Sequence, residues 1–281
     1  MNRHIMGWIV CIFLYSSCIE TDIDYTFPYT EKPITLGFLD SIWGIRVWCG
    51  KTANILEKDA SPLENSRITL YDKSGFIESL THQGRNVFTT RQRFQPIPNN
   101  EYLIKSANDK YAFELISDFT SIPATIPIVQ LKYRKLNNSV SGIDLFIEFE
   151  DPLGFNAYGY FIQRFKNDTA MNEDYRFDSL YVPFYPGLQN DRAFNNTKHT
   201  LRIENYPLET NIDRNNVIAD SLKVTLFNVS RPMYDLFLSL NTPEPGSGDS
   251  FFDPTVISNS SKDGIIVLGA YSQASKGIRI K

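Results

Sequence analysis

Short segments that alternate between apolar and polar residues, separated by turn residues, dominate the first half of the chain. Residues 66–71 alternate strictly, which is the period of a half-buried strand. Residues 72–75, Asp-Lys-Ser-Gly, form a turn signal with glycine where positive φ is needed, and residues 76–80 lead back as a second strand. About seven such strands at regular spacing, without a helical period, fall between residues 33 and 118, which predicts a small β-sandwich of immunoglobulin or transthyretin-like type.

A proline-punctuated connector at residues 121–127 separates this block from a second one. Beyond it the strand-like segments lengthen, at residues 128–134, 142–150, 159–165, 176–182, 201–206 and 222–229. The sequence therefore predicts an all-β protein. Its N-terminal sandwich domain is expected at residues 33–120, and a larger antiparallel β domain with one short helix at residues 121–281.

The one predicted helix begins after Ser230, a plausible N-cap, with Pro232 in the first turn, where its missing N–H is not needed. Apolar residues then recur at helical spacing and form a single stripe, made of Met233, Tyr234, Phe237 and Leu238. Residues 241–248 are rich in proline and glycine, which predicts that the helix ends there.

The first residues have the pattern of a bacterial export signal. Arg3 gives a positive start, and residues 5–15 are an apolar run too short to span a bilayer. The sequence Leu-Tyr-Ser-Ser-Cys that ends at Cys18 resembles a lipobox, in which the signal is cut before the cysteine and the cysteine is lipidated. We therefore expect a signal peptide at residues 1–17 and an acidic tether at residues 18–32. The alternative is an ordinary secretory signal with no lipid on the cysteine.

Three acidic residues follow the lipobox at once, at Glu20, Asp22 and Asp24. A run of this kind resembles the surface-export signal of Bacteroidota lipoproteins. The alternative is a solvated tether without a sorting role. We expect a lipid-anchored protein of the outer membrane that faces the cell surface.

The charge and the cysteine content narrow the possible functions. The net charge is −4 and no basic run occurs, which argues against nucleic acid as a partner. Only Cys49 remains besides the leader and the lipobox, so no intrachain disulfide is expected. A catalytic cysteine would need a histidine partner, and His82 and His199 lie in no recognisable motif. Cys49 is therefore predicted to be buried and inert on a strand.

The sequence predicts no catalytic residue, no metal and no cofactor, because it lacks a nucleophile elbow, a phosphate loop and a metalloprotease motif. Glu148, Glu150 and Asp151 cluster near a predicted strand end. Two carboxylates can hydrolyse a glycoside only at the right separation in space. Polar residues at a strand edge are the favoured interpretation, and the protein is not expected to be an enzyme.

Aromatic residues are in surplus, at 14% of the chain. Several lie in loops rich in proline or glycine, where aromatic side chains can form a platform for a ligand or anchor a partner. The predicted binding residues are Tyr181, Phe184, Tyr185, Phe251 and Phe252. In the alternative interpretation these side chains fill the ends of a β-sandwich.

The C-terminal region carries Tyr-Asp-Leu-Phe-Leu-Ser-Leu at residues 234–240, then Phe-Asp-Pro, Ser-Asn, Asp-Gly and finally Gly-Ala-Tyr-Ser at residues 269–272. This pattern resembles the end of a family of Bacteroidota outer-membrane lipoproteins known only as a domain of unknown function, DUF 4249. Ile266 and Leu268 stand where glycine and phenylalanine are common in that family. The lipobox, the early Pro-Ile-Thr-Leu-Gly and the later Arg-Ile-Thr-Leu-Tyr-Asp extend the resemblance over nearly the whole chain.

Proteins of that family are often encoded beside TonB-dependent outer-membrane receptors, the transporters that import large nutrients. The resemblance therefore implies a non-enzymatic accessory that captures a ligand or gates the transporter, a step that rests on analogy. Two alternatives from other classes stay open. One is an adhesion or structural module of the envelope, and the weaker one is a surface hydrolase.

Overall fold

The computed structural model describes residues 31–42, 44–52, 63, 65–91, 94–136, 142–171, 188–191, 195–212, 215–240, 260–261 and 263–280. The strands before the connector are β1 Pro33–Asp40, β2 Gly44–Lys51, β3 Arg67–Asp72, β4 Gly75–Ser79, β5 Thr81–His82, β6 Val87–Thr89, β7 Glu101–Asn108, β8 Phe113–Ile116 and β9 Thr120–Ser121. After it come β10 Ile128–Lys135, β11 Gly142–Glu150, β12 Ala157–Lys166, β13 Thr169–Ala170, β14 Gln189–Asn190, β15 Lys198–Pro207, β16 Glu209–Ile212, β17 Asn215–Ile218, β18 Ser221–Val229, the helix α1 Arg231–Leu240, β19 Ser260–Ser261 and β20 Gly264–Arg279.

The strand β20 joins the two halves of the main sheet. Residues 265–271 of β20 pair in parallel with residues 34–40 of β1. Residues 271–279 pair in antiparallel fashion with residues 221–229 of β18. The resulting sheet has ten strands, and its main path runs β13-β12-β18-β20-β1-β2-β6-β5. One strand therefore contributes its first half to the N-terminal part of the sheet and its second half to the C-terminal part.

The first half of β20 completes a core with strands from the beginning of the chain. Opposite β1 and β2 lies a five-stranded sheet with the order β4-β3-β7-β8, and β9 pairs with β7. Burial alternates along the whole of β7, as expected for a strand with one face in the core. Ile266, Leu268 and Ala270 of β20 are buried in this core beside Val47 of β2 and Ile104 of β7.

A second core lies between the three-stranded sheet β10-β11-β15 and the strands β12 and β18 of the main sheet. The central strand β11 places Ile143, Leu145, Ile147 and Phe149 in this core, and all four are fully buried. Burying an aliphatic or aromatic side chain contributes about 1.5–3 kcal/mol. The period-two pattern of β11 therefore fixes which of its side chains remain on the outer face.

The helix α1 packs on the outer face of β1 and β20, with Met233 buried. The approach is close because residue 269 is glycine, where a Cβ atom would lie 2.8 Å from Met233 Cβ. The predicted helix is confirmed. Ser230 occupies the predicted N-cap position, where its carbonyl accepts the N–H of Tyr234 at 3.0 Å. Its Oγ accepts the N–H of Ala270 at 2.9 Å and so ties the start of the helix to β20.

The hairpin predicted at residues 66–80 is confirmed, since β3 and β4 pair in antiparallel fashion. Gly75 has a φ of 130°, the positive value expected for this turn. Asp72 Oδ1 accepts the N–H groups of Ser74 at 2.7 Å and Gly75 at 3.1 Å, which closes the turn.

The all-β class with one short helix is confirmed for the described residues. The boundary between a sandwich domain at 33–120 and a second domain at 121–281 stays a prediction, and strands from both sides of it share the main sheet. Within the residues that the structure describes, no helix is long and apolar enough to cross a membrane.

Candidate functional site: the charged face of the three-stranded sheet

The outer side of β10-β11-β15 carries an ordered array of charged side chains around one aromatic ring. We define this charged face by Lys132, Arg134, Asp144, Phe146, Glu148, Lys198 and Arg202. It follows from the alternation in β11, because the residues between the buried aliphatic ones must point to the other side of the sheet. The strands β10 and β15 supply the cations, and the central β11 supplies the anions and the ring.

Glu148 is held between two lysines from different strands. Its Oε1 lies 2.7 Å from Lys132 Nζ, and its Oε2 lies 2.9 Å from Lys198 Nζ. Hydrogen bonds from the two ammonium groups, Lys132 first, lower the pKa of the Glu148 carboxyl. This carboxylate is therefore ionised at neutral pH and committed to both ion pairs.

Asp144 is held in the same way between two arginines. Arg134 donates to Oδ2 from one side, and Arg202 Nη2 lies 3.0 Å from the same oxygen. The backbone N–H of Asn205 donates to Oδ1 at 3.2 Å. These hydrogen bonds, with that of Arg134 the strongest, lower the pKa of Asp144 from 3.8 to about 2.

Phe146 lies between the two ion-pair groups. In register, it faces Lys132 on β10 and Arg202 on β15, and the Arg202 Cζ atom is 5.9 Å from its ring centroid. The four cationic side chains are about half exposed (Lys132 51%, Arg134 62%, Lys198 56%, Arg202 47%), whereas Asp144 is 3% and Glu148 12% exposed. Solvent therefore meets four cationic groups and a half-buried ring, with the two carboxylates underneath.

The Asp144 ion pairs predict how stability depends on acid. The folded-state pKa of about 2 lies below the ordinary value of 3.8, so the ionised carboxylate stabilises the fold above pH 3.8. This contribution falls as the pH drops below 3.8 and is lost near pH 2. In urea unfolding at a series of pH values, Asp144→Asn should be less stable than the wild type at pH 6 and should lose less stability on acidification. Parallel pH profiles for the two proteins would contradict this assignment.

Glu148, Glu150 and Asp151 lie close together in the sequence, but their carboxylates do not converge on one site. Glu148 and Glu150 lie near the end of β11, as predicted, and Glu150 lies opposite Lys198 in register. Asp151 is buried, where its Oδ1 accepts the Tyr158 hydroxyl and its Oδ2 accepts the N–H of Asn196 at 2.8 Å. A glycosidase acid needs a raised pKa, and the pKa of Glu148 is lowered.

Cys49 is buried on β2, as predicted. Its Sγ lies 3.4 Å from the Thr35 hydroxyl and 3.8 Å from that of Ser106, within the first core. His199 lies on β15 beside the second core, where its ring centroid is 5.5 Å from that of Phe149. Burial lowers the pKa of His199, although the charge of Asp151 opposes this effect. Cys49 and His199 therefore do not form a nucleophile–base pair.

A groove of about 500 Å³ lies beside residues 31–33, just before and at the start of β1. Inside it, Lys51 Nζ is 2.8 Å from Glu31 Oε2 and 4.2 Å from the ring centroid of Tyr111. The hydrogen bond to Glu31 raises the pKa of Lys51. Because Lys51 already contacts the acidic and aromatic side chains that line this groove, we prefer the charged face as the candidate site.

The predicted lipidation residue Cys18, the predicted export residues and the predicted aromatic binding residues lie outside the described residues. They are Glu20, Asp22 and Asp24 in the tether and Tyr181, Phe184, Tyr185, Phe251 and Phe252 in the loops. In the part of the chain that is described, no group of three His, Cys, Asp or Glu side chains is placed to hold a metal ion.

Sequence reasoning missed the charged face. A signal was available, because Lys132 and Arg134 on one strand, and Lys198 and Arg202 on another, have the even spacing that puts charges on one side of a sheet. On the central strand β11, Asp144 and the second carboxylate of the charged face also have an even spacing. The sequence did not reveal which strands were neighbours.

Comparison with known proteins gives a family and weak structural likenesses. The model of a family described as "Domain of unknown function (DUF4249)" matches residues 20–276. No curated protein matches the chain. Among solved structures, the chain is similar to a DUF4785 family protein from Legionella pneumophila subsp. pneumophila str. Philadelphia 1, with 13% identity and a TM-score of 0.24. The match covers 68% of this chain and 49% of that chain, so this chain spans about half the length of that protein.

Proposed function

The chain belongs to the DUF4249 family, and we propose that it is a lipid-anchored outer-membrane protein of a Bacteroidota bacterium that assists a TonB-dependent nutrient import system. In this role the protein captures a ligand for the transporter or gates it, and it is not an enzyme. The lipobox that ends at Cys18 supports the lipid anchor, and the acidic residues Glu20, Asp22 and Asp24 support export to the cell surface.

The charged face is the observation that carries the capture role. Its four cations lie on a sheet and are held by ion pairs to Asp144 and Glu148, so a ligand need not order these long side chains on binding. The same ion pairs keep both carboxylates ionised, which suits binding better than acid–base catalysis. Capture without turnover is the function that this geometry supports best.

An adhesion or structural module of the envelope is the second candidate. Leu153, Phe155 and Leu238 are exposed, and Phe155 lies 5.7 Å from the Tyr234 ring with Arg231 4.8 Å from its centroid. Aromatic residues and arginine are enriched at the centres of protein interfaces. A surface hydrolase is the weaker third candidate, because Glu148 lacks the raised pKa that a catalytic acid requires.

Co-purification tests the proposed function. A C-terminally tagged copy of the full chain is expressed in its own bacterium, outer membranes are gently solubilised, and the proteins that accompany the tag are identified by mass spectrometry. We expect a TonB-dependent receptor in stoichiometric amount. The matched control is Cys18→Ser, which should leave the membrane fraction because it lacks the site for the lipid.

Two outcomes would count against the proposal. Recovery of the protein alone, or with other envelope proteins, would place the adhesion role above the import role. Retention of Cys18→Ser in the membrane to the wild-type extent would contradict the lipid anchor.

A further inference from the structure

We propose that the charged face binds an acidic saccharide, with its acid groups on the cations and a sugar ring on Phe146. The inference rests on the proposed capture role and adds the chemical class of the ligand. It comes from three observations about the described residues: the exposed charges, the position of the aromatic ring and the spacing of the cations.

Charge complementarity is the first argument. The whole chain has a net charge of −4, yet this face presents four cationic groups to solvent. The carboxylates of Asp144 and Glu148, which pair with them, are buried beneath. Glu204 lies 3.0 Å from Arg202 at one end of the face, and Glu150 lies opposite Lys198 at the other end, so these exposed carboxylates are at the two ends. An anionic ligand fits the area between them best.

The aromatic ring is the second argument, and it separates a saccharide from a simple anion. Phe146 lies at the centre of the cationic area, directly between Lys132 and Arg202 in register. It is half-buried, so part of the ring remains open to a ligand. A sugar offers a weakly polar C–H surface for such a ring and hydroxyl groups for the surrounding donors. A ligand made of phosphate or sulfate alone would not use Phe146.

The spacing of the cations is the third argument. Lys132 and Arg134 lie on β10, Lys198 and Arg202 lie on β15, and β11 separates the two strands. Across the sheet the cations converge in pairs, because Arg134 and Arg202 both contact Asp144, and Lys132 and Lys198 both contact Glu148. Asp144 and Glu148 lie four residues apart on β11, so the two pairs are about 13 Å apart along the strand. A single small anion cannot contact both pairs at once. A chain of sugars that carries an acid group on successive units can, so the ligand is expected to be an oligomer.

Binding of defined polymers to the full-length protein tests the inference. Native gels that contain polygalacturonate, dextran sulfate or neutral dextran report binding as slower migration, and titrations give the Kd. We expect the wild type to bind at least one acidic polymer and not the neutral one. Binding should weaken as ionic strength rises from about 0.01 M to 1 M, because the Debye length falls from about 30 Å to 3 Å.

Two variants with equal charge change separate this face from general electrostatics. Lys132→Gln combined with Arg202→Gln removes two exposed cations from the charged face, and Arg67→Gln combined with Lys73→Gln removes two exposed, ion-paired cations elsewhere. The first double variant should bind on the order of tenfold more weakly, while the second should bind like the wild type. Phe146→Ala should also weaken binding, with little change in its dependence on salt.

The outcomes identify the ligand or overturn the inference. Binding of polygalacturonate supports a carboxylated saccharide, and binding of dextran sulfate alone supports a sulfated one. Equal binding of neutral dextran, equal binding of duplex DNA, equal loss in the two double variants or no binding at all would overturn the inference. None of these results bears on co-purification with a receptor, so failure here is distinguishable from failure of the proposed function.

Discussion

A fragment of residues 33–120 is expected not to fold by itself, although the sequence predicts a sandwich domain there. In the full chain, residues 34–40 of β1 hydrogen-bond to residues 265–271 of β20. The fragment lacks that partner strand, and its core lacks the buried Ile266 and Leu268. Removal of β20 leaves an open strand edge and a partly empty core. The free energy of unfolding of a small domain is low, so the fragment is expected not to tolerate these losses.

Circular dichroism and thermal unfolding of the purified fragment check this expectation. The matched control carries residues 264–271 after a flexible Gly/Ser linker, which restores the parallel pairing with β1 and the buried side chains of β20. The control should show a cooperative unfolding transition that the fragment lacks. A cooperative transition in the fragment of residues 33–120 alone would mean that β20 is not needed and that the predicted boundary is an independent folding boundary.

The substitution Phe149→Ala is expected to destabilise the protein by about 3–5 kcal/mol, the range for truncating a buried aromatic residue. Phe149 is fully buried on β11, and its ring centroid lies 4.6 Å from that of Tyr158. The Tyr158 hydroxyl donates to the buried Asp151, and burial, followed by this hydrogen bond, raises the pKa of Tyr158. The cavity left by Phe149→Ala therefore also weakens the packing around the buried hydrogen bond between Tyr158 and Asp151.

Urea unfolding measures this loss, and the chain offers a control on the same strand. Phe146→Ala removes the same atoms from the opposite face of β11, where the side chain is half-buried. We expect a loss of about 1 kcal/mol for this variant, because truncation there leaves no closed cavity. If the two variants lose equal stability, the assignment of the faces of β11 is wrong. A small loss for Phe146→Ala also keeps that variant usable in the saccharide experiment.

Local features of the fold were predictable because their signals lie close together in the sequence. The turn at Gly75 and the first turn of the helix, which contains Pro232, each depend on a few neighbouring residues. The parallel pairing of β1 with β20 was not predictable, because the two strands lie at opposite ends of the chain. A period-two pattern shows that a strand has a buried face, but it does not name the neighbouring strand.

The candidate site was missed for the same reason. Glu148 lies near other acidic residues in the sequence, but its partners in the folded protein are Lys132 and Lys198. Cross-strand neighbours decide whether a carboxylate is a catalytic acid or the centre of an ion pair. The role of Ser230 shows the same limit, because its hydroxyl binds Ala270 of a strand that follows much later in the sequence.

The position of β20 far after β1 in the sequence has a consequence for biosynthesis. A ribosome releases strands β1 to β9 long before residues 264–271, so the first core stays incomplete until those residues have been made. Completing an early core with a late strand therefore delays the folding of this core until β20 has left the ribosome.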